Sequence, residues 1–193
     1  MKIKVCGVSD ARFALAAARM GVDYLGFIFE PTSPRFVTVG MAAEISAAIA
    51  ADAKARCVRR VGVFVSQSVD EIVSTMRKAG LDVVQLHRRA SESDVAELQA
   101  AGYEVWTLAG GAHGDGVLFD SSHGDGETEF SHLPCKTILA GKIGIDNLAE
   151  AVAHKPDVID VNSSLETSPG RKSIRRLKSL LSAAMIEWRA ASC

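Results

Sequence analysis

Eight short runs rich in β-branched and aromatic residues recur along the chain, and this recurrence limits the fold more than any other feature. They begin at Ile3, Tyr24, Val61, Val83, Glu104, Gly116, Thr137 and Val158. Most are followed by a Ser or Asp that can cap a helix, then by apolar residues at helical spacing. Ser9-Asp10 opens an alanine-rich stretch that Gly21 closes. Ser68 and Glu71 form a capping box ahead of Ile72, Val73 and Met76, with Gly80 at the exit. Further helices are predicted from about Ser91, carrying Val95 and Leu98, and from Asp146, carrying Leu148 and Val152. The last starts at Ser173, and its Ile174, Leu177, Leu180 and Leu181 make one apolar stripe.

Runs that are apolar on both faces and alternate with helices imply a parallel sheet. Eight of them predict an α/β fold closed as a (β/α)8 TIM barrel rather than an open doubly wound sheet. At 193 residues the chain is short for eight such units. The economy is local: between Leu108 and Val117 lies only a Gly- and His-containing loop, so the fifth helix is expected to be missing or reduced to a turn. Residues 1–193 read as one compact domain, which at this size buries roughly 70% of its unfolded surface and needs no metal or disulfide to hold its core.

Twenty-two Lys and Arg against 23 Asp and Glu leave a net charge of −1, with no basic run longer than pairs such as Arg59-Arg60 and Arg88-Arg89. That balance gives no footing for nucleic acid or an anionic membrane. No segment approaches the roughly 18 to 20 apolar residues of a membrane span. Met1-Lys2-Ile3-Lys4 leads into a run that Ser9-Asp10 ends, so a cytoplasmic protein without a signal peptide is expected. Cys6, Cys57, Cys135 and Cys193 are scattered, with no C-x-x-C pair, and read as free thiols. His113, Asp115, His123 and Asp125 share one stretch, but no spacing puts them on a common element, and no metal is expected. Monomer and homodimer fit the sequence equally.

In such a barrel the chemistry gathers at the C-terminal ends of the strands. The polar residues there are few: Cys6 after the first run, Arg35 in the loop after the second, His87 after the fourth, Asp120 after the sixth, Gly141-Lys142 after the seventh and Asn162-Ser163-Ser164 after the eighth. A thiol and a carboxyl facing each other across the mouth can act as base and acid. Each pKa must then move toward neutrality, the thiol down from about 8.5 and the carboxyl up from about 3.9. Burial can raise the carboxyl, and a cation such as Lys4 can lower the thiol. The small residues of the seventh and eighth turns let backbone amides approach an anion where this fold frequently binds phosphate, which marks Gly141, Lys142, Ser163 and Ser164 as a phosphate subsite. Arg171-Lys172 and Arg175-Arg176 could steer an anion or simply form a solvated helix start. His87 could line the pocket but reads better as a packing and hydrogen-bonding residue, and Trp106 and Trp188 read as core or helix-packing side chains.

These strand ends carry a family resemblance. In order, Lys4-Val5-Cys6-Gly7-Val8, Gly26-Phe27-Ile28-Phe29 with Ser33-Pro34-Arg35, Val61-Gly62-Val63-Phe64-Val65, Gln85-Leu86-His87, Leu118-Phe119-Asp120, Leu139-Ala140-Gly141 and Asp160-Val161-Asn162-Ser163-Ser164-Leu165-Glu166 with Pro169-Gly170 resemble the phosphoribosylanthranilate isomerase family of tryptophan biosynthesis, over nearly the whole length. The resemblance implies a cofactor-free Amadori rearrangement of N-(5-phosphoribosyl)anthranilate to 1-(2-carboxyphenylamino)-1-deoxyribulose 5-phosphate. It implies Asp120 as general acid on the ribose ring oxygen and Cys6 as general base on C2. Arg35 would meet the anthranilate carboxylate, a planar anion suited to a guanidinium fork, and the backbone around Gly141 and Ser163-Ser164 would hold the phosphate. The chain departs from the family's pattern at Arg88 and Lys142, where glycines are usual. The usual Ser-Ser-Gly becomes Asn162-Ser163-Ser164, and the usual Gly-Gly-Thr-Gly becomes His123-Gly124-Asp125-Gly126, followed by Glu127 and Glu129. Two alternatives follow from the departures: a barrel of this family acting on another phosphorylated aminoaldose, and a non-catalytic barrel that binds a phosphorylated ligand.

Overall fold

In the computed structural model, which describes residues 1–120 and 134–191, eight parallel strands close into a barrel in chain order. They are β1 (Lys2–Val5), β2 (Tyr24–Ile28), β3 (Arg59–Phe64), β4 (Val83–Leu86), β5 (Glu104–Leu108), β6 (Gly116–Asp120), β7 (Lys136–Ala140) and β8 (Val158–Val161). Around them lie α1 (Ala11–Arg19), α2 (Val39–Ala51), α3 (Val69–Ala79), α4 (Glu92–Ala100), α5 (Leu148–Ala153) and α6 (Ile174–Ala191). Residues 109–115 join β5 to β6 without a helix, as expected from their Gly and His content. A two-stranded antiparallel ribbon, β9 (Glu166–Ser168) and β10 (Arg171–Lys172), stands between β8 and α6. The sequence reading had no element there.

The helix starts follow their caps. Asp10 accepts from the Phe13 N–H at 2.7 Å, and reciprocal capping boxes close at Ser68 with Glu71 and at Ser91 with Asp94. In α1 the small Ala14, Ala17 and Ala18 are buried beside Phe13, which lets the helix lie close on the strands. The period of two along each strand then divides the core. One set of side chains packs outward against the helices. The other fills the barrel, where Tyr24, Val61, Val83, Trp106, Leu118, Ile138 and Val158 form a separate apolar cluster.

A repeated aspartate sets the register at the N-terminal end of the barrel. Asp23, Asp82, Asp115 and Asp157 each stand one residue ahead of an even-numbered strand. Each carboxylate accepts the backbone N–H of the second residue in the preceding odd-numbered strand: Ile3 at 2.9 Å, Arg60 at 2.8 Å, Val105 at 2.8 Å and Thr137 at 2.8 Å. These N–H groups begin their strands, and the carboxylates give them charge-assisted partners.

Candidate active site

The same alternation that fills the barrel with apolar side chains brings polar ones to its C-terminal mouth. Lys4 and Cys6 share the inward face of β1 and the residue after it, Gly26 that of β2, Gln85 that of β4, and Asp160 that of β8. A cavity of about 390 Å³ opens above them. Cys6, Arg35, Asp120, Gly141, Lys142 and Ser163 all line it, together with Gln85, His87, Asp160 and Asn162. Six of the seven residues singled out from the sequence thus meet in one space.

Lys4 lies fully buried beneath the cavity, and its Nζ donates to Asp160 Oδ2 at 2.5 Å. A Cβ on Gly26 would stand 2.9 Å from Cys6 Sγ and 3.2 Å from Lys4 Cε, so a glycine at this point of β2 makes room for both. Burial pushes the Cys6 thiol above its ordinary value, opposite to the fall expected from the sequence, because the loss of water outweighs the nearby cations. The Lys4 and Lys172 ammonium groups pull it back, and Asp160 adds to the rise. For Lys4, burial works against the charge, but Asp160 and Cys6 outweigh it and hold the ammonium above its usual range. A charged lysine inside the barrel therefore stands next to the thiol that needs a cation. Burial raises the Asp160 carboxyl, against the pull of Lys4. Asp160 Oδ1 and Gln85 Oε1 are buried with no hydrogen-bond partner among the described residues.

Asp120 ends β6 and is 8% exposed, on the cavity wall. Arg35 comes from the loop after β2 and crosses Gly7, whose φ of +68° no Cβ would readily tolerate. A side chain there would also meet Arg35 Cδ at 2.6 Å and Asn162 Oδ1 at 3.0 Å. At the seventh turn Lys142 holds a left-handed backbone with φ +53°, directly after Gly141 at +113°. The lysine thus occupies a conformation suited to glycine, strained by about 1 kcal/mol, and its exposed side chain stands at the rim.

Two departures from the family pattern turn out not to touch the cavity. Ser164 sits in a one-turn 3-10 helix, and its hydroxyl donates to the Ile143 carbonyl at 2.6 Å, tying the eighth turn to the seventh. It does not line the cavity, so what it can offer a phosphate is its backbone. Arg88 pairs with Asp94 at 2.7 Å on the capping box of α4, away from the mouth. His123, Gly124, Asp125, Gly126, Glu127 and Glu129 lie outside the described residues. Among the described residues no group of His, Cys, Asp and Glu could hold a metal ion.

Sequence reasoning passed over Glu166 and Gln85 as site residues, gave Asp160 no role, and offered Lys172 only as half of a charged pair that could steer an anion. Asp160 and Gln85 had a signal in their inward parity with Val158 and Val83. Lys172 had none, since it follows exposed Arg171 in a charged stretch.

The model of the family described as N-(5'-phosphoribosyl)anthranilate (PRA) isomerase matches residues 3–183. An N-(5'-phosphoribosyl)anthranilate isomerase of Streptococcus pneumoniae is 34% identical over 190 residues, covering 92% of each chain. The crystal structure of phosphoribosyl anthranilate isomerase from Thermus thermophilus superposes with a TM-score of 0.81 at 29% identity, over 96% of this chain and 99% of that one. Another solved isomerase, in complex with reduced 1-(o-carboxyphenylamino)-1-deoxyribulose 5-phosphate, gives a TM-score of 0.78 at 25% identity over 96% and 98% of the two chains.

Proposed function

The chain belongs to the N-(5'-phosphoribosyl)anthranilate isomerase family, and we propose that it converts N-(5-phosphoribosyl)anthranilate to 1-(2-carboxyphenylamino)-1-deoxyribulose 5-phosphate with Cys6 as base and Asp120 as acid. The observation that carries this reading is that the thiol and the carboxyl line one cavity, from the end of β1 and from β6, and that Arg35 and the Gly141-Lys142 turn line it too. Asp120 gives its proton to the ribose ring oxygen. The C1–O bond breaks, and the nitrogen lone pair closes a C1=N iminium. Cys6 then takes the C2 proton, and the electron pair released forms the C1=C2 bond of an enolamine while neutralising the nitrogen. Loss of the 2-hydroxyl proton and protonation at C1 leave the ketone.

Lys4 supports the second step, because an ammonium beside Cys6 favours the thiolate that must accept the proton. Arg35 takes the anthranilate carboxylate, and the amides of Gly141 and Ser163-Ser164, with the Lys142 ammonium, take the phosphate. With Arg88 turned to Asp94, that substitution gives no ground for a different substrate. Among the described residues no helix is long and apolar enough to cross a membrane; we place the enzyme in the cytoplasm, as a monomer or homodimer.

The test is turnover of freshly made substrate, followed by loss of anthranilate-type fluorescence, for wild type, Cys6→Ser and Asp120→Asn at equal folded concentration. Collapse in both variants is expected. Activity surviving in one would remove that residue from its role and leave the family membership untouched.

A further inference from the structure

A buried ion network beside the cavity uses one carboxylate for two cations. Arg35 donates from Nε to Glu166 Oε1 at 2.7 Å and from Nη2 to Oε2 at 2.7 Å. Lys172 Nζ donates to the same Oε1 at 2.9 Å, and to Asn162 at 2.9 Å on Oδ1 and 3.2 Å on the carbonyl. The Glu166 and Lys172 side chains are 5% and 3% exposed. The ribbon of β9 and β10 supplies both, and its turn is tied to the first loop by the Ser9 hydroxyl, which donates to the Gly170 carbonyl at 3.2 Å.

Two cations against one carboxylate leave the group with one uncompensated positive charge at the cavity wall. A charge in such a place is costly until an anion meets it. The geometry says where the anion goes. A guanidinium has five N–H bonds and two bidentate edges. Glu166 occupies the edge formed by Nε and Nη2. The end-on edge of Nη1 and Nη2 is left, no other described side chain takes it, and Arg35 lines the cavity.

We propose that Glu166, itself held by Lys172, is a positioning residue that fixes the guanidinium plane of Arg35, so that the free edge selects aryl amines bearing an ortho carboxylate. This deepens the isomerase reading and rests on it. Glu166 touches no substrate; it acts by leaving Arg35 one orientation.

Charge and orientation make opposite predictions for Glu166→Gln. The substitution raises the positive charge of the network by one, so attraction alone would strengthen the preference for a carboxylate. Loss of the clamp would weaken it. Two ligands test this by calorimetric titration, with no turnover required: the products of reductive amination of ribose 5-phosphate with anthranilate and with aniline, which differ only in the carboxylate. Wild type is expected to prefer the first by about tenfold or more, the worth of a charge-assisted bidentate contact. Glu166→Gln is expected to lose most of that ratio. The double variant Glu166→Gln/Lys172→Met keeps the wild-type net charge, avoids two unpaired buried cations, and is expected to lose the ratio as well. A preference that rises in Glu166→Gln, or stays at the wild-type ratio in the double variant, overturns the positioning role and leaves the isomerase reading standing. Wild type that binds neither ligand overturns that reading and the positioning role with it; equal binding of both shows that Arg35 does not read the carboxylate.

Discussion

Glu104 and Asp82 at one end of the barrel and Asp160 at the other meet their partners in opposite ways. At the N-terminal end Glu104 accepts from Arg59, Lys136 and the Trp106 indole, and Asp82 accepts from the Arg60 backbone and, with both oxygens, from the Nε and Nη2 edge of its guanidinium. At the C-terminal end, among the described residues, Asp160 binds Lys4 through one oxygen and leaves the other buried without a partner, and Arg35 keeps an open edge. The contrast shows in the titrations. Burial alone would raise Glu104, but Lys136, Arg59 and Trp106 overcome it and hold the carboxyl down to about 2. Cys6 and Asp160 are pushed up. Saturated charges hold structure, as Glu104 does at one end and Glu166 does for Arg35 at the other, whereas charges with spare bonding capacity, found here at the mouth, are available to a ligand.

The largest effects should come from the C-terminal end. Cys6→Ala or Asp120→Asn is expected to lower kcat by about 10³-fold, the usual scale of a general acid or base, with the melting temperature little changed. Lys4 breaks the contrast, because it belongs to the interior and serves the mouth. Lys4→Met leaves Asp160 buried without its cation and should cost about 3 kcal/mol in urea unfolding. Without the ammonium the Cys6 thiol rises further, so the limb on which kcat/KM climbs with pH moves to higher pH. Lys4→Met/Asp160→Leu replaces the pair with apolar groups and should recover stability without activity. Recovery of both would reduce the pair to packing.

A substitution at the other end sharpens the comparison from the stability side. The folded pKa of Glu104 lies below its unfolded value of 4.5. Its contribution is therefore present above about pH 4.5 and lost as pH falls toward about 2. Glu104→Gln should cost about 2 kcal/mol at pH 7, after allowance for partial solvent screening, and almost nothing at pH 2. Turnover should be unchanged. A fall in kcat would mean that the two ends are coupled through Trp106.

What the sequence made legible was what local periodicity and cap chemistry determine. Ser68 with Glu71, the strand runs and the helix-free stretch after Leu108 need only their neighbours in the chain to be read. Cys6 and Asp120 were legible because in a barrel the end of a strand is a place, and Lys4 because it lies two residues before Cys6 on one face. The partners of these groups were not. Glu166 holds Arg35 across 131 positions, and Lys4 meets Asp160 across 156. Arg171 and Lys172 look alike as a charged pair, yet a two-residue strand turns the first to solvent and buries the second. No local pattern distinguishes them.

The smallest effect is expected at Lys142, where strain and charge coincide. Glycine there would relieve the left-handed backbone but enlarge the unfolded ensemble, so Lys142→Gly should stabilise by only about 0.5–1 kcal/mol. Alanine keeps the strain and removes the charge, and should leave stability unchanged. Both variants lose an exposed ammonium at the rim, which in water is worth little, so KM for the phosphorylated substrate should rise about threefold in each and fall back with Lys142→Arg. Equal KM in all four proteins would assign the phosphate to the backbone of the seventh and eighth turns alone. A KM that rises with glycine but not with alanine would mean that the strained backbone itself is what the phosphate reads. Either result bears on the contrast between the ends, because a position that gains stability by losing its lysine is one where the mouth holds a conformation the fold does not need.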